Sequence, residues 1–279
     1  MIKVALTHDV DRTRKTYQYF THPLRRLIKL DLNGLLSQIK SYSSTNNYWG
    51  FNEIIKIETK YNVKSTFFFL NETLPFNLFK LSNWKLSLGR YDITHPEIIK
   101  IIKYLDNNGW EIGLHGSFYS YNNKRLLEKE KEVLENIVGH KIIGIRQHYL
   151  NLSKNTWDYQ NELGFKYDTS WGYSKQIGYK ENNIKYFKPL NNEFLVFPMV
   201  IMDIAFVNSK NKWDNFNRLM DVIDENDSLL VIDWHSNHFN ENEFPGFLNT
   251  YESIIQKCNN KKAEFKTLVE WYKLFNGNI

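Results

Sequence analysis

Short apolar runs along the chain alternate with segments whose apolar residues recur every three to four positions. The runs at 2–7, 65–70, 111–115, 142–146, 194–202 and 229–234 have strand length and read as buried strands. Between them lie helical patterns. Pro96 stands at a first helical turn, Ile98, Ile99, Ile101, Ile102 and Leu105 follow, and Gly109 stops the pattern. Residues 124–138 place Leu126, Leu127, Val133, Leu134 and Ile137 on one stripe and end at Gly139. Further helices are predicted at 157–163, 213–223, 251–258 and 267–275, and loops at 41–47 and 240–245.

Strands alternating with helices predict an α/β fold with a parallel sheet. Asp9 and Asp11, His115, Arg146 with His148, and His235 each follow the C-terminal end of a predicted strand, although they lie far apart in sequence. A barrel gathers its chemistry at that end of its strands, whereas an open doubly wound sheet gathers it at one switch point. The pattern therefore predicts a distorted (β/α) barrel of about seven parallel strands. No G-x-G-x-x-G or P-loop pattern opens a helix, which argues against a nucleotide-cofactor fold. One catalytic domain over 1–279 is expected, with a helical insertion around 17–48. The basic, amphipathic stretch at 24–39 reads either as a helix pair covering the barrel mouth or as a surface that meets a membrane or partner.

Composition adds bounds. A chain of 279 residues, 42% hydrophobic and 16% aromatic, can fill one large core. Its net charge of +5 comes from interspersed residues without a long basic block, which argues against a nucleic-acid partner and leaves a mild attraction for anionic substrates. The single cysteine, Cys258, reads as structural. No apolar run reaches the roughly 18–20 residues of a membrane span, so membrane contact is expected to be peripheral. Residues 1–7 lead straight to His8, with no room for a secretory apolar region, and the expected location is the cytoplasm.

The candidate chemistry lies in four segments: His8-Asp9-Val10-Asp11, His115-Gly116-Ser117-Phe118-Tyr119, Arg146-Gln147-His148-Tyr149 and Asp233-Trp234-His235. Paired carboxylates and strand-end imidazoles are the residue types that share a divalent metal with a general base. Together the segments resemble the polysaccharide deacetylase family with its NodB homology domain, carbohydrate esterases of family 4 type. The family's first motif, Thr-Phe-Asp-Asp-Gly or Phe-Asp-x-Asp, stands here as Thr7-His8-Asp9-Val10-Asp11. Its His-Ser/Thr-x-x-His motif keeps His115 but has Tyr119 in the second place. Its Arg-x-Pro-Tyr motif reads Arg146-Gln147-His148-Tyr149.

The resemblance implies Asp9 as catalytic base, Arg146 as its holder, His235 as general acid, and Asp11 and His115 as ligands of one divalent ion. Zinc is the first candidate, with cobalt, nickel, manganese or iron as alternatives. His148 is the expected replacement for the lost histidine, against Tyr119, Ser120, His8 or water. Tyr119, Ser120, Tyr149, Asp168, Trp171, Asp203, Trp234 and His238 are expected to rim the mouth and meet substrate, with Asp168 orienting His235 or binding a sugar hydroxyl. The implied reaction is hydrolysis of an N-acyl group, N-acetyl first, from a nucleotide-linked or lipid-linked amino sugar used in surface polysaccharide biosynthesis. The alternatives are hydrolysis of a non-sugar C–N bond at the same site, or a non-catalytic carbohydrate-binding barrel.

Overall fold

The computed structural model describes residues 1–43 and 48–277; the loop expected at 41–47 lies outside them from residue 44 on. Strands β1 (Lys3–Val10), β2 (Thr66–Leu70), β3 (Glu111–Gly116), β4 (Gly144–Gln147), β5 (Tyr167–Asp168), β6 (Leu195–Val196), β7 (Met199–Met202), β8 (Leu229–Asp233) and β9 (Glu264–Phe265) form one sheet. Its order is β6-β5-β4-β3-β2-β1-β8-β7, with β9 added beside β1, and every named strand pair is parallel. The helices are α1 (Gln18–Ile28), α2 (Leu32–Lys40), α3 (Phe51–Lys60), α4 (Leu81–Ser87), α5 (Pro96–Asn107), α6 (Lys124–Val138), α7 (Thr156–Glu162), α8 (Asp203–Val207), α9 (Lys212–Asn226), α10 (Phe247–Asn260) and α11 (Leu268–Phe275).

The run at 194–202, read as one strand, is two. Pro198 has no N–H to give to a ladder, and the pairing changes at that point. Leu195 and Val196 pair with β5, whereas Met199 to Met202 pair with β8 at the other end of the sheet. One nearly continuous segment thus serves both edges and bends the sheet into the barrel. Counted as one, it makes seven strands around the barrel, the expected number. Tyr167 and Asp168, outside every predicted strand, form β5.

Period-two alternation sorts the strand residues into two layers. Val4, Leu6, Phe67, Phe69, Ile112, Leu114, Ile145, Leu230 and Ile232 face outward into the core beneath the helices. Ala5, Phe68, Tyr167, Leu195, Phe197 and Val231 fill the barrel with Leu268, Trp271 and Tyr272 of α11. Trp271 donates from Nε1 to the Val4 carbonyl and Leu268 from its backbone N to Thr66 Oγ1, so α11 plugs the N-terminal end of the strands. Space inside is tight. A Cβ at Gly113 would stand 2.5 Å from the Phe68 ring. The same inward face continues upward as Thr7, Asp9, His115, Arg146 and Asp233, at the open C-terminal end.

Candidate active site at the C-terminal end of the barrel

Arg146 is wholly buried, its guanidinium 4.8 Å from the centroid of the Phe68 ring below it. Its Nη1 lies 2.8 Å from Thr7 Oγ1, 2.9 Å from Asp9 Oδ1 and 2.8 Å from Asp233 Oδ1. Two carboxylates therefore share one cation in a buried site. Burial opposes ionisation of Asp9, but Arg146, with His115 and His235, outweighs it and holds its pKa below the usual carboxylate value. Asp233 goes the other way. Burial and the neighbouring Asp9 charge push it up to about 7.

Asp11, just past β1, meets His115 of β3 and His148 after β4. Asp11 Oδ1 is 3.3 Å from His115 Nε2 and 3.2 Å from His148 Nδ1, and those two nitrogens are 3.0 Å apart. With ligand bonds of about 2.0–2.1 Å, the edges of a tetrahedron measure roughly 3.3–3.4 Å. The triangle is close to one face of such a site. Asp11 Oδ1 is buried and, among the described residues, accepts no hydrogen bond, as suits an oxygen meant for a cation. His115 Nδ1 donates to the Arg146 carbonyl at 2.9 Å, which aims Nε2 at Asp11. Burial pushes His148 down to about 4 despite Asp11, so its ring is neutral. A divalent ion fits these donors.

His148 carries a complication that no motif signals. Arg90, in the loop between α4 and α5, approaches His148 Nε2 with Nη2 at 2.8 Å and donates from Nη1 to the Asp11 carbonyl at 3.0 Å. A guanidinium only donates, so Nε2 accepts and the neutral ring carries its proton on Nδ1. Ligation through Nδ1 would require that proton on Nε2, facing the Arg90 guanidinium.

On the opposite wall Asp203, the first residue of α8, holds two imidazoles. Its Oδ2 accepts from the His235 backbone N at 2.8 Å and lies 3.1 Å from His235 Nδ1 and 2.6 Å from His238 Nδ1. Burial disfavours the His235 imidazolium, but Asp203 and Asp233 outweigh it and raise its pKa well above the ordinary value. With Nδ1 committed to Asp203, Nε2 is the nitrogen left for chemistry.

A cavity of about 390 Å³ opens on Asp11, lined also by Arg12, Arg25, Lys85, Arg90, Tyr149 and His238. A larger depression, about 640 Å³, lies by Ser174 and Asn208, and none of the site carboxylates or imidazoles described above lines it.

Among the expected rim residues, Tyr149 and His238 line the cavity. Trp234 does not, a correction. With Asp233 pointing inward, Trp234 points outward and is buried against Tyr251 and Phe247. His8 is likewise on the outer face, bonded to Glu58 and the Trp234 carbonyl, which removes it as a metal ligand. Asp168 is buried and accepts from Ser170 and Gln160, so it neither reaches His235 nor meets a sugar; Asp203 holds that histidine instead. Ser120 is buried and donates to the Ser117 carbonyl. Asp203 is buried and contacts the two histidines. Trp171 packs between Trp157 and Phe187, and Tyr119 stands half-exposed on Phe118. Arg12, Arg25, Lys85 and Arg90 were missed, and Asp233, although part of the Asp233-Trp234-His235 segment, was assigned no role. Asp233 closes an apolar run, Arg12 stands beside the more conspicuous Asp11, and the other cations lie in segments with no strand-end signal.

A family model described as WbmS-like polysaccharide deacetylase matches residues 90–253, more than half of the chain. The span holds Arg90, His115, Arg146, His148, Asp203 and His235; Asp9 and Asp11 precede it. No curated protein matches the chain. Among solved structures, one from Mycobacterium smegmatis described as a polysaccharide deacetylase is 16% identical, with a TM-score of 0.60 over 99% of this chain and 90% of that one. Another, from Pseudomonas aeruginosa PAO1 and described in the same way, is 13% identical, with a TM-score of 0.60 over 100% of this chain and 92% of that one. The PuuE allantoinase is 15% identical, with a TM-score of 0.58 over 98% and 89%. At these identities the likeness shows a common barrel fold.

Proposed function

From the premise that the chain belongs to the polysaccharide deacetylase family, in its WbmS-like group, we propose that it hydrolyses an N-acyl group, N-acetyl first, from an amino sugar in a metal-dependent reaction. The observation that carries this reading is the juxtaposition of the ionised Asp9 with the Asp11, His115 and His148 triangle. Asp9 Oδ2 lies 3.7 Å from His115 Nε2.

Asp11, His115 and His148 would hold the ion, zinc being the first candidate for such an N,O set. When bound, it supplies Lewis acidity that polarises an amide carbonyl and acidifies water. Arg146 binds Asp9 through Oδ1 and keeps it ionised, so Oδ2 accepts the water's proton as the water attacks the acyl carbon. Asp233 shares Arg146 through Oδ1, its own pKa raised to about 7 by burial and the Asp9 charge. Asp203 fixes His235 as an imidazolium through Nδ1, and Nε2 gives its proton to the nitrogen as the C–N bond breaks. Asp9 then returns its proton, which restores the His235 imidazolium, and the water is divided between the products, an acid and a free amine. Tyr149 and His238 contact the sugar at the mouth. The cations of the cavity suit a precursor carrying phosphate, as nucleotide-linked and lipid-linked amino sugars of surface polysaccharide biosynthesis do, handled on the cytoplasmic side.

Acetate release from a panel of N-acetylated amino sugars by zinc-loaded protein tests the proposal. Turnover is expected to vanish with a chelator and return with zinc. Asp9→Asn is expected to keep the metal and lose about 10²–10⁴-fold in turnover. Wild-type turnover in that variant, or no acetate from any member of the panel, overturns the reading.

A further inference from the structure

Helices α1 and α2 are built inside out. The side chains that they bury are polar: Gln18 and Gln38 are buried, as is Lys15 just before α1. Lys15 Nζ lies 2.8 Å from Gln38 Oε1 and 2.8 Å from Glu243 Oε2, and His22 Nδ1 lies 2.6 Å from Glu243 Oε1. The apolar residues face out. Phe20, Leu24, Leu27, Ile28, Leu30, Leu32, Leu36 and Ile39 are 53–83% exposed. A surface helix ordinarily buries its apolar stripe, and apolar side chains gathered on one exposed face mark a contact surface.

Charge says what the contact is with. Residues 14–40 carry six Lys and Arg against Asp31 alone, and so hold the whole +5 of the chain; the remaining residues balance. Arg26 is paired with Asp31, but the exposed Arg25 and Lys29 stand among the apolar side chains, and together they complement an anionic, apolar surface. A second copy would bring the same positive charge to the contact.

We propose that the α1–α2 hairpin docks this protein on the surface of an anionic lipid bilayer, with its apolar residues seated at the headgroup level. The docked hairpin is also one wall of the site. Gln18, Thr21, His22 and Arg25 of α1 line the cavity that opens on Asp11 and His238. Docking therefore holds the mouth at the membrane. Resting on the deacetylase reading, this selects an amino sugar carried on a lipid phosphate as the substrate class, with Arg25 at the point where the phosphate enters.

Cosedimentation of the full chain with vesicles tests the docking without any turnover, so failure of the deacetylase reading and failure of this one are separately visible. Binding to phosphatidylcholine vesicles containing phosphatidylglycerol is expected to exceed binding to phosphatidylcholine alone by at least about tenfold and to weaken as salt rises. The double variant Leu27→Gln, Ile28→Gln is expected to bind at least about tenfold more weakly with an unchanged thermal transition, because both side chains are exposed. Lys29→Gln is expected to narrow the difference between the two vesicle types. Absence of binding to the anionic vesicles overturns the proposal, as does equal binding by the double variant. So does a dimer in sedimentation that the double variant abolishes, since a second copy would then cover the face.

Discussion

At His148 two demands fall on one ring. As a ligand through Nδ1 it needs its proton on Nε2, where the Arg90 guanidinium, itself only a donor, already sits at 2.8 Å. Arg90→Gln replaces that donor with an amide oxygen that can accept from Nε2–H, and it removes a cation from beside Asp11. Zinc is expected to bind several-fold to about tenfold more tightly to this variant, a size in keeping with other partners of metal-bound histidines. Competition against a chromogenic chelator reads the affinity. In the same assay His148→Gln is expected to lose at least about tenfold and Tyr119→Phe to lose nothing, since Tyr119 is turned toward solvent. A loss in Tyr119→Phe as large as in His148→Gln would return the third ligand to position 119.

The element that carries His115 rests on α6, where Glu130 is buried and its Oε2 accepts from the Ser117 backbone N at 3.1 Å. Burial, against the hydrogen bonds from Ser117 and Ser120, raises its pKa from 4.5 to about 7. The folded chain thus holds a proton that the unfolded chain gives up. The stability it contributes is complete below about pH 4.5 and is lost as pH rises to about 7, on the order of 3 kcal/mol in all. Glu130→Gln, neutral throughout, is expected to flatten that part of the pH dependence of urea unfolding; an unchanged slope would place the titration elsewhere. The limits of α5 and α6 were legible because local chemistry sets them. Pro96 opens one, and Gly139, with φ at 85°, ends the other. The division of 194–202 was not legible as a change of partner, because Pro198 marks a break but cannot name the strands on either side.

On the scale of the whole barrel, α11 seals one end and the site occupies the other. Trp271→Ala empties the plug and is expected to cost about 3–5 kcal/mol in urea unfolding. Zinc affinity is expected to stay within a few-fold of wild type, because the triangle of ligands lies at the far ends of the strands; a large loss would mean that the plug also supports the site. Most strands, the helices α5, α6, α7, α9, α10 and α11, the strand-end positions of Asp9, His115 and Arg146, and the family resemblance could be read from the chain, because periodicity and strand-end position are local properties; α3, α4, α8, β5 and β9 could not. Closure of the sheet decided the rest. It gave His235 to Asp203 rather than Asp168, turned Trp234 and His8 outward, brought Arg90 onto His148 and left the apolar face of α1 and α2 toward solvent. These outcomes depend on which strands pair, in what register and on which face, and a residue's type does not carry that information.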